Sequence, residues 1–271
     1  MRPGRRAHHG RRMTTQTETS ISCQPSTTRP GAARRTALVL TGVLTCALPA
    51  MFILNISRML LTGVETEHRF HQATGQGLIL FAVWLLPILG LLRAAWAGAR
   101  PSSAAGYQHL ALIGTGAVLA ALAPGGGAPY LVGVIAVGGA LLWWALPQRP
   151  RLRLPVRVNP VLAPVALLAT AWFVPYAIDQ LQRQNAVTVG DHFTNPHFFD
   201  MAWLVTVLMA YLILAALVPA ARQLALWTGA ACLVLGTAGL AFGESTTFSA
   251  VTLLLGGVAV VAGIASARRD A

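Results

Sequence analysis

Eight long apolar stretches constrain this chain more than any other feature of its sequence. Each is close to the ~20 residues that a helix needs to cross about 30 Å of hydrocarbon. Backbone groups in lipid must bond within their own segment, so these stretches predict helices, whereas a β-barrel would alternate apolar and polar residues. We therefore expect an all-α polytopic membrane protein with eight transmembrane helices. The expected spans are 36–56, 73–92, 107–123, 129–146, 159–178, 198–218, 224–242 and 249–266.

Composition supports a membrane protein and excludes two other classes. Of the 271 residues, 55% are hydrophobic and only 10% are charged, whereas a soluble domain carries about 25% charged residues. The net charge of +12 would suit a nucleic-acid-binding protein if it formed a basic face on a soluble module. Here the arginines are spread over the breaks between apolar stretches. The expected partner is therefore the lipid bilayer, and we expect no nucleic acid.

The arginines also predict an orientation, because positively charged loops are retained in the cytoplasm. With eight helices, one side collects both termini and all of the 20 basic residues except Arg58, Arg69 and Arg183. The opposite, outer side holds most of the acidic residues. We expect a multi-pass protein of the cell membrane with both termini in the cytoplasm. The absence of lysine beside abundant arginine, alanine and glycine is typical of a GC-rich bacterial genome.

The charge pattern divides the chain into four segments. Residues 1–35 are rich in arginine, serine, threonine and proline and predict a disordered cytoplasmic tail, in which Met1 and Met13 are alternative starts. Residues 36–146 and 159–271 would each form a four-helix half, joined by the arginine-rich cytoplasmic linker 147–158.

The two halves resemble each other weakly. Shifting residues 49–71 by 126 positions superposes two prolines, two threonines, two acids and two histidines. Such a shift spans an even number of helices, so the halves would share one orientation, as in parallel-repeat transporters. This favours an internal duplication. The superposed pairs are Pro49 with Pro175, Thr62 with Thr188, Glu65 with Asp191, and His71 with His197.

Two outer loops, 57–72 and 179–197, concentrate the polar chemistry, and loops on a rigid scaffold often carry function. His68 and His71 are three residues apart and would share one helix face, with Glu65 one turn earlier. In the second loop, Asn195 and Pro196 predict a helix start that places His197 in the first turn. Asp191 and His192 lie just before it.

Imidazoles and carboxylates are a sufficient ligand set for zinc or copper. We predict that His71, His192 and His197 bind a metal and that Glu65 and Asp191 act as catalytic acid or base groups. Glu67 and Asp200 complete the set of nearby acids. The alternative is that all of these are interfacial polar residues that cap helices and hydrate a loop.

The Glu65-x-x-His68-Arg69 motif, set in eight helices with a histidine on helix two and another on helix six, resembles the haem A synthase family. That resemblance covers about one helical hairpin. It implies two four-helix halves, a haem cofactor, and the conversion of haem o to haem a by an acidic group and paired histidines near the outer face. On this resemblance Glu65 would be the acidic group, and His68 and His197 would belong to the cofactor site. His71, on the same helix face as His68, is a further candidate for cofactor binding.

Three further features have simpler interpretations. His109, alone at the start of the third span, is interpreted as a boundary residue, and the glycines at 125–127 as a tight turn. Other glycines would let helices approach closely. These are Gly239, Gly243, Gly256, Gly257 and Gly263.

Three functions remain open from the sequence. The first is a redox, haem-handling or metal-handling protein with its site at the outer face. The second is a permease or permease subunit for an uncharged or lipid-like substrate, since the absence of a charged residue in the middle of any span counts against a secondary ion-coupled transporter. The third is a structural or assembly subunit that docks other membrane subunits.

Overall fold

The computed structural model describes residues 31–63, 68–75, 77–153 and 156–270, and these ranges are helical with no strand. Eight of their helices are long and apolar enough to cross a membrane, so the all-α, eight-span expectation is confirmed. The helices are α1 Ala32–Thr62, α2 Arg69–Ala73, α3 Leu78–Trp96, α4 Ser103–Leu122, α5 Ala128–Ala145, α6 Leu162–Ala186, α7 Asp191–Thr194, α8 His197–Leu217, α9 Leu224–Ala241 and α10 Thr246–Asp270.

The expected spans differ from the helices mainly at their ends. α1 continues to Thr62 rather than residue 56, and α6 continues to Ala186 rather than residue 178. Hydropathy marks where a helix leaves hydrocarbon, but the backbone stays helical for as long as its own hydrogen bonds continue. The two outer loops are therefore shorter than expected, and each contains a short helix, α2 or α7.

Each half has the same order of elements. A long helix with an internal proline, Pro49 in α1 or Pro175 in α6, precedes a short helix and then three long ones. The internal duplication stays a prediction.

α8 lies at the centre of the bundle, between α6, α4 and α9. Its side chains Trp203 and Tyr211 are almost fully buried and donate hydrogen bonds to carbonyls of α4. The Trp203 indole donates to Leu112 at 3.0 Å, and the Tyr211 hydroxyl donates to Gln108 at 3.0 Å. These two hydrogen bonds connect α8, in the second half of the chain, to α4, in the first half.

α9 and α10 pack most closely, because glycines remove the side chain between them. A Cβ on Gly256 would lie 2.8 Å from the Leu233 nitrogen, and one on Gly239 would lie 2.2 Å from the Ser249 hydroxyl. Gly243, by contrast, has open space around it and a φ of +76° just after α9. The close-approach expectation is therefore wrong for Gly243, which serves as a turn residue. It is also wrong for Gly257, where nothing lies within 4 Å of an added Cβ.

One end of the bundle, here called the arginine end, is crossed by the linker between α5 and α6. Its described residues 147–153 and 156–161 run over the ends of α4, α8 and α10. The Arg157 amide donates to the Leu217 carbonyl at 2.8 Å, and the Ser103 hydroxyl donates to the Arg151 carbonyl at 2.7 Å. The linker arginines themselves point into solvent. The exposed arginines are Arg149, Arg151, Arg153 and Arg157.

Candidate metal centre

The opposite end of the bundle, here called the histidine end, begins with α2. α1 ends at Gly63, whose φ of 73° is in the left-handed region that glycine tolerates best. The described chain resumes at His68 and turns into α2, which puts His71 one helical turn further on. Thr74 closes this short helix, since its hydroxyl donates to the Phe70 carbonyl at 2.6 Å.

The turn after α2 packs directly on the first turn of α8. The Thr74 hydroxyl lies 3.2 Å from the sulfur of Met201, and a Cβ on Gly75 would lie only 2.8 Å from the Met201 nitrogen. A residue larger than glycine would push the two backbones apart. This close approach holds α2 beside the start of α8, where His197 lies.

Gln184, near the end of α6, fixes the position of α7 relative to α8. Its side chain is 3% exposed. The amide nitrogen donates to the His192 carbonyl at 3.0 Å, and the amide oxygen accepts from the Phe199 nitrogen at 3.2 Å. One buried side chain thus sets the spacing between the backbones that carry His192 and His197.

The glycine turn between α4 and α5 supports α7 from the other side. The Gly127 nitrogen donates to the Phe193 carbonyl at 3.1 Å. Gly126 has a φ of +68°, and a Cβ there would lie 2.0 Å from the Phe193 oxygen. The predicted turn is present, and it also forms the platform on which the His192 helix rests.

Three histidines from three separate elements meet at this end. The ring centroids of His68 and His192 are 5.4 Å apart, those of His68 and His197 are 5.2 Å apart, and those of His192 and His197 are 5.0 Å apart. The three rings therefore form a nearly equilateral triangle. Each offers a ligand nitrogen, and these nitrogens lie within 4.8 Å of one another. We call His68, His192 and His197 the three-histidine site.

The three histidines of the site differ in their exposure. His197 is buried, at 7% exposure, whereas His68 and His192 are half-buried. Phe198 stacks on the His192 ring, with centroids 5.5 Å apart, and limits its rotation. A small ion could reach the nitrogens from the half-buried side.

His71, which we expected among the metal ligands, lies next to this triangle. Its ring centroid is 6.0 Å from that of His197 and 6.4 Å from that of His68. The structure thus brings all four loop histidines together. The three whose ligand atoms lie closest are His68, His192 and His197, with His71 in the surrounding layer.

Three of the predicted acidic side chains, those of Glu65, Glu67 and Asp191, are not described by the structure. Glu65 and Glu67 lie outside the described residues. Asp191 begins α7, and its side chain is not among those described. Asn195 was expected to cap α8, with Pro196 as its first helical residue. This is wrong in detail, because Pro196 occupies the cap position and no side chain caps the helix.

Asp200 lies three residues after His197 on α8. It is 4% exposed, and its Oδ1 atom is buried with no hydrogen-bond partner. Buried polar atoms are nearly always paired in folded proteins. An unpaired carboxyl one turn from the three-histidine site is therefore unusual.

His109 is not the boundary residue that we expected. It is fully buried, and its Nδ1 atom accepts a hydrogen bond from the Trp143 indole at 2.9 Å. A Cβ on Gly139 would lie 3.0 Å from its Nε2 atom. His109 is thus a packed residue between α4 and α5, remote in sequence and element from the four clustered histidines.

A separate cavity of about 280 Å³ lies between α3, α4, α8 and α9. Its wall is apolar apart from Gln108, Tyr211 and the indole of Trp227. Trp227 and Val234 are more than half exposed, so the cavity borders the lipid-facing surface. Its other lining residues are Leu78, Ile79, Ala82, Val83, Leu86, Leu208, Ala230 and Ala231.

No local sequence pattern identifies the residues that assemble the site. Gln184 is one of several glutamines at the polar end of α6, and only its two backbone partners distinguish it. The glycine turn was recognisable as a turn, but its contact with Phe193 joins residues from opposite halves of the chain.

Comparisons with protein-family models, with curated proteins and with solved structures found no match to this chain.

Proposed function

We propose that this protein is a membrane metalloprotein that binds one zinc-type divalent ion through His68, His192 and His197. The observation that supports this most is the size of the histidine triangle. An ion about 2.1 Å from one nitrogen of each ring, at tetrahedral angles, would separate the ring centroids by about 5.2 Å. The observed separations of 5.0, 5.2 and 5.4 Å agree with that value.

The same distances favour a small ion over a haem. A haem iron bound by two of these imidazoles would hold a flat macrocycle between them. The third ring lies within 5.4 Å of both and would occupy the space that the macrocycle needs.

Three protein ligands leave a fourth tetrahedral position open, which is typical of catalytic rather than structural zinc sites. His71 and the half-buried side of the site border that position. We therefore infer an enzyme that uses its metal as a Lewis acid on a ligand entering from the histidine end. Because positive loops stay in the cytoplasm, the histidine end would face outwards.

Metal analysis of the full chain, purified in detergent and equilibrated with zinc, tests this proposal. We expect about one zinc per chain, as for a mononuclear site. His192→Ala and His197→Ala should each reduce the zinc content at least tenfold, because two imidazoles remain. The matched control is the double variant His8→Ala and His9→Ala, which removes two histidines from the tail and should keep the full zinc content.

An absorption spectrum of the same sample separates the metal from a haem. We expect no Soret band. A Soret band that disappears in His197→Ala would replace the zinc proposal with a haem protein. Equal zinc contents in all four samples would contradict the zinc proposal.

The cavity beside Gln108 favours a second candidate, a permease or carrier for a lipid-like amphiphile. An apolar wall with one amide and one indole suits a molecule with an apolar body and one hydrogen-bonding group. Activity of this kind would survive His197→Ala and be lost when Ala231→Trp fills the cavity. The metalloenzyme proposal predicts the reverse for His197→Ala.

A further inference from the structure

The carboxyl of Asp200 has surroundings that are costly for a charge. It lies inside the span His192–Leu217, is 4% exposed, and has an Oδ1 atom without a hydrogen-bond partner. Ionisable residues inside membrane spans are expensive and usually serve a function. The arginine on α2, Arg69, has a terminal nitrogen 3.4 Å from the position of a Cβ on Gly63, at the end of α1.

Helix geometry directs Asp200 towards the three-histidine site. Residues three apart share one helix face, and helical side chains lean towards the N-terminus of their helix. On α8 that direction leads from Asp200 to His197. Its oxygens are not among the atoms that lie within 4.8 Å of one another in the triangle, so Asp200 is not one of the three closest ligands.

The charges of the two groups complement each other. Three neutral imidazoles leave the full charge of a divalent ion uncompensated, and an ion in a poorly solvated site needs a counter-charge. An isolated buried carboxylate needs a cation for the same reason. A carboxylate behind a metal-bound histidine is also a common outer-layer partner in metal sites.

We propose that Asp200 is the counter-charge of the three-histidine site and that it makes this site selective for a divalent cation. This inference rests on the proposed function. Asp200 is a positioning residue here, since it acts on the ion through its charge and through His197. Neutralising Asp200 should therefore weaken metal binding without changing the coordination of the metal.

Cobalt binding to the full chain in detergent tests the inference, because Co²⁺ reports its geometry through its visible absorption. Asp200→Asn keeps the side-chain shape and removes the charge, and it should raise the Kd for Co²⁺ by about 10- to 100-fold. The visible band at saturation should keep its position. Asp200→Glu keeps the negative charge, so its Kd for Co²⁺ should stay close to that of the unaltered chain. Asp200→Ser provides a second neutral variant.

Asp179→Asn is the matched control, since Asp179 lies towards the same end of the bundle but is half exposed and paired with Arg183 at 2.9 Å. It should leave the Kd unchanged. An unchanged Kd in both neutral variants of Asp200, or a shifted visible band, would overturn the counter-charge role while the metal site stands. Failure of the unaltered chain to bind Co²⁺ and Zn²⁺ would overturn the proposed function as well.

Discussion

At the arginine end, polar side chains form hydrogen bonds and the linker arginines are exposed, whereas at the histidine end three imidazoles lie against one another. The Asn159 amide is representative of the first arrangement. It donates to the Ser266 hydroxyl at 2.6 Å, and its oxygen accepts from the Val161 nitrogen at 2.9 Å. The three-histidine site and Asp200 represent the second, with rings 5.0–5.4 Å apart and a carboxyl atom that has no partner.

The difference separates a structural end from a candidate functional end. Satisfied hydrogen bonds lower the free energy of the folded chain, and those at the arginine end join α6 to α10 and the linker to α8. Clustered imidazoles and an unpaired buried carboxyl contribute little to stability unless something binds them. Variants at the two ends should therefore separate stability from metal binding.

Gly126→Ala should have the largest effect, because it acts on the fold and the site together. The new Cβ would lie 2.0 Å from the Phe193 oxygen at a residue with φ +68°. Strain and overpacking together should lower the free energy of unfolding by about 2–4 kcal/mol. Denaturant unfolding in detergent and zinc analysis measure the two effects. Gly133→Ala, where nothing lies within 4 Å, is the control and should change neither.

Gln184→Leu should weaken metal binding more than stability. It leaves the His192 carbonyl and the Phe199 nitrogen without their partner, which should cost about 1–3 kcal/mol of unfolding free energy. Release of α7 should reduce zinc affinity about 10-fold or more. Asn185→Leu, which removes an exposed bond to Leu122, should affect both measurements less. Equal zinc affinities in the two variants would contradict the role given to Gln184.

Asn159→Leu, at the arginine end, should lower stability and leave metal binding unchanged. It removes the bond to Ser266 and the cap on the first turn of α6, so we expect a loss of about 1–3 kcal/mol of unfolding free energy. Zinc content per folded chain should not change, because the site lies at the other end. A loss of zinc in this variant would show that the two ends are coupled.

Arg151→Gln should have the smallest effect. The side chain is exposed, and the linker is held at this position by the Arg151 carbonyl rather than by the guanidinium. We expect a change in unfolding free energy below about 0.5 kcal/mol and no change in zinc content. A larger loss of stability would mean that the linker arginines make contacts that their exposure does not indicate.

The sequence predicted the number of spans well and their ends less well. Hydropathy is a local property, and each apolar stretch reports its own burial in lipid whatever its neighbours are. The ends of α1 and α6 depend instead on where Gly63 and Val187 end the hydrogen-bonded helix. His109 was misjudged for a related reason, since its partner Trp143 lies on another helix.

The histidines of the candidate site were recognisable in the sequence, but their grouping was not. Spacing along α2 relates His68 to His71, yet the closest ligand set joins His68 to His192 and His197. That set depends on Gln184 and on the glycine turn, which bring α7 to the start of α8. Neither contact leaves a pattern in the local sequence.

By itself, the sequence determined that this chain forms eight apolar helices, because burial in lipid is decided segment by segment. Only the tertiary structure decided which histidines face one another, that the Oδ1 atom of Asp200 is buried without a hydrogen-bond partner, and that a glycine turn from one half supports a helix of the other. Those relations depend on distances between segments far apart in the chain, and such distances are fixed by packing rather than by composition or spacing.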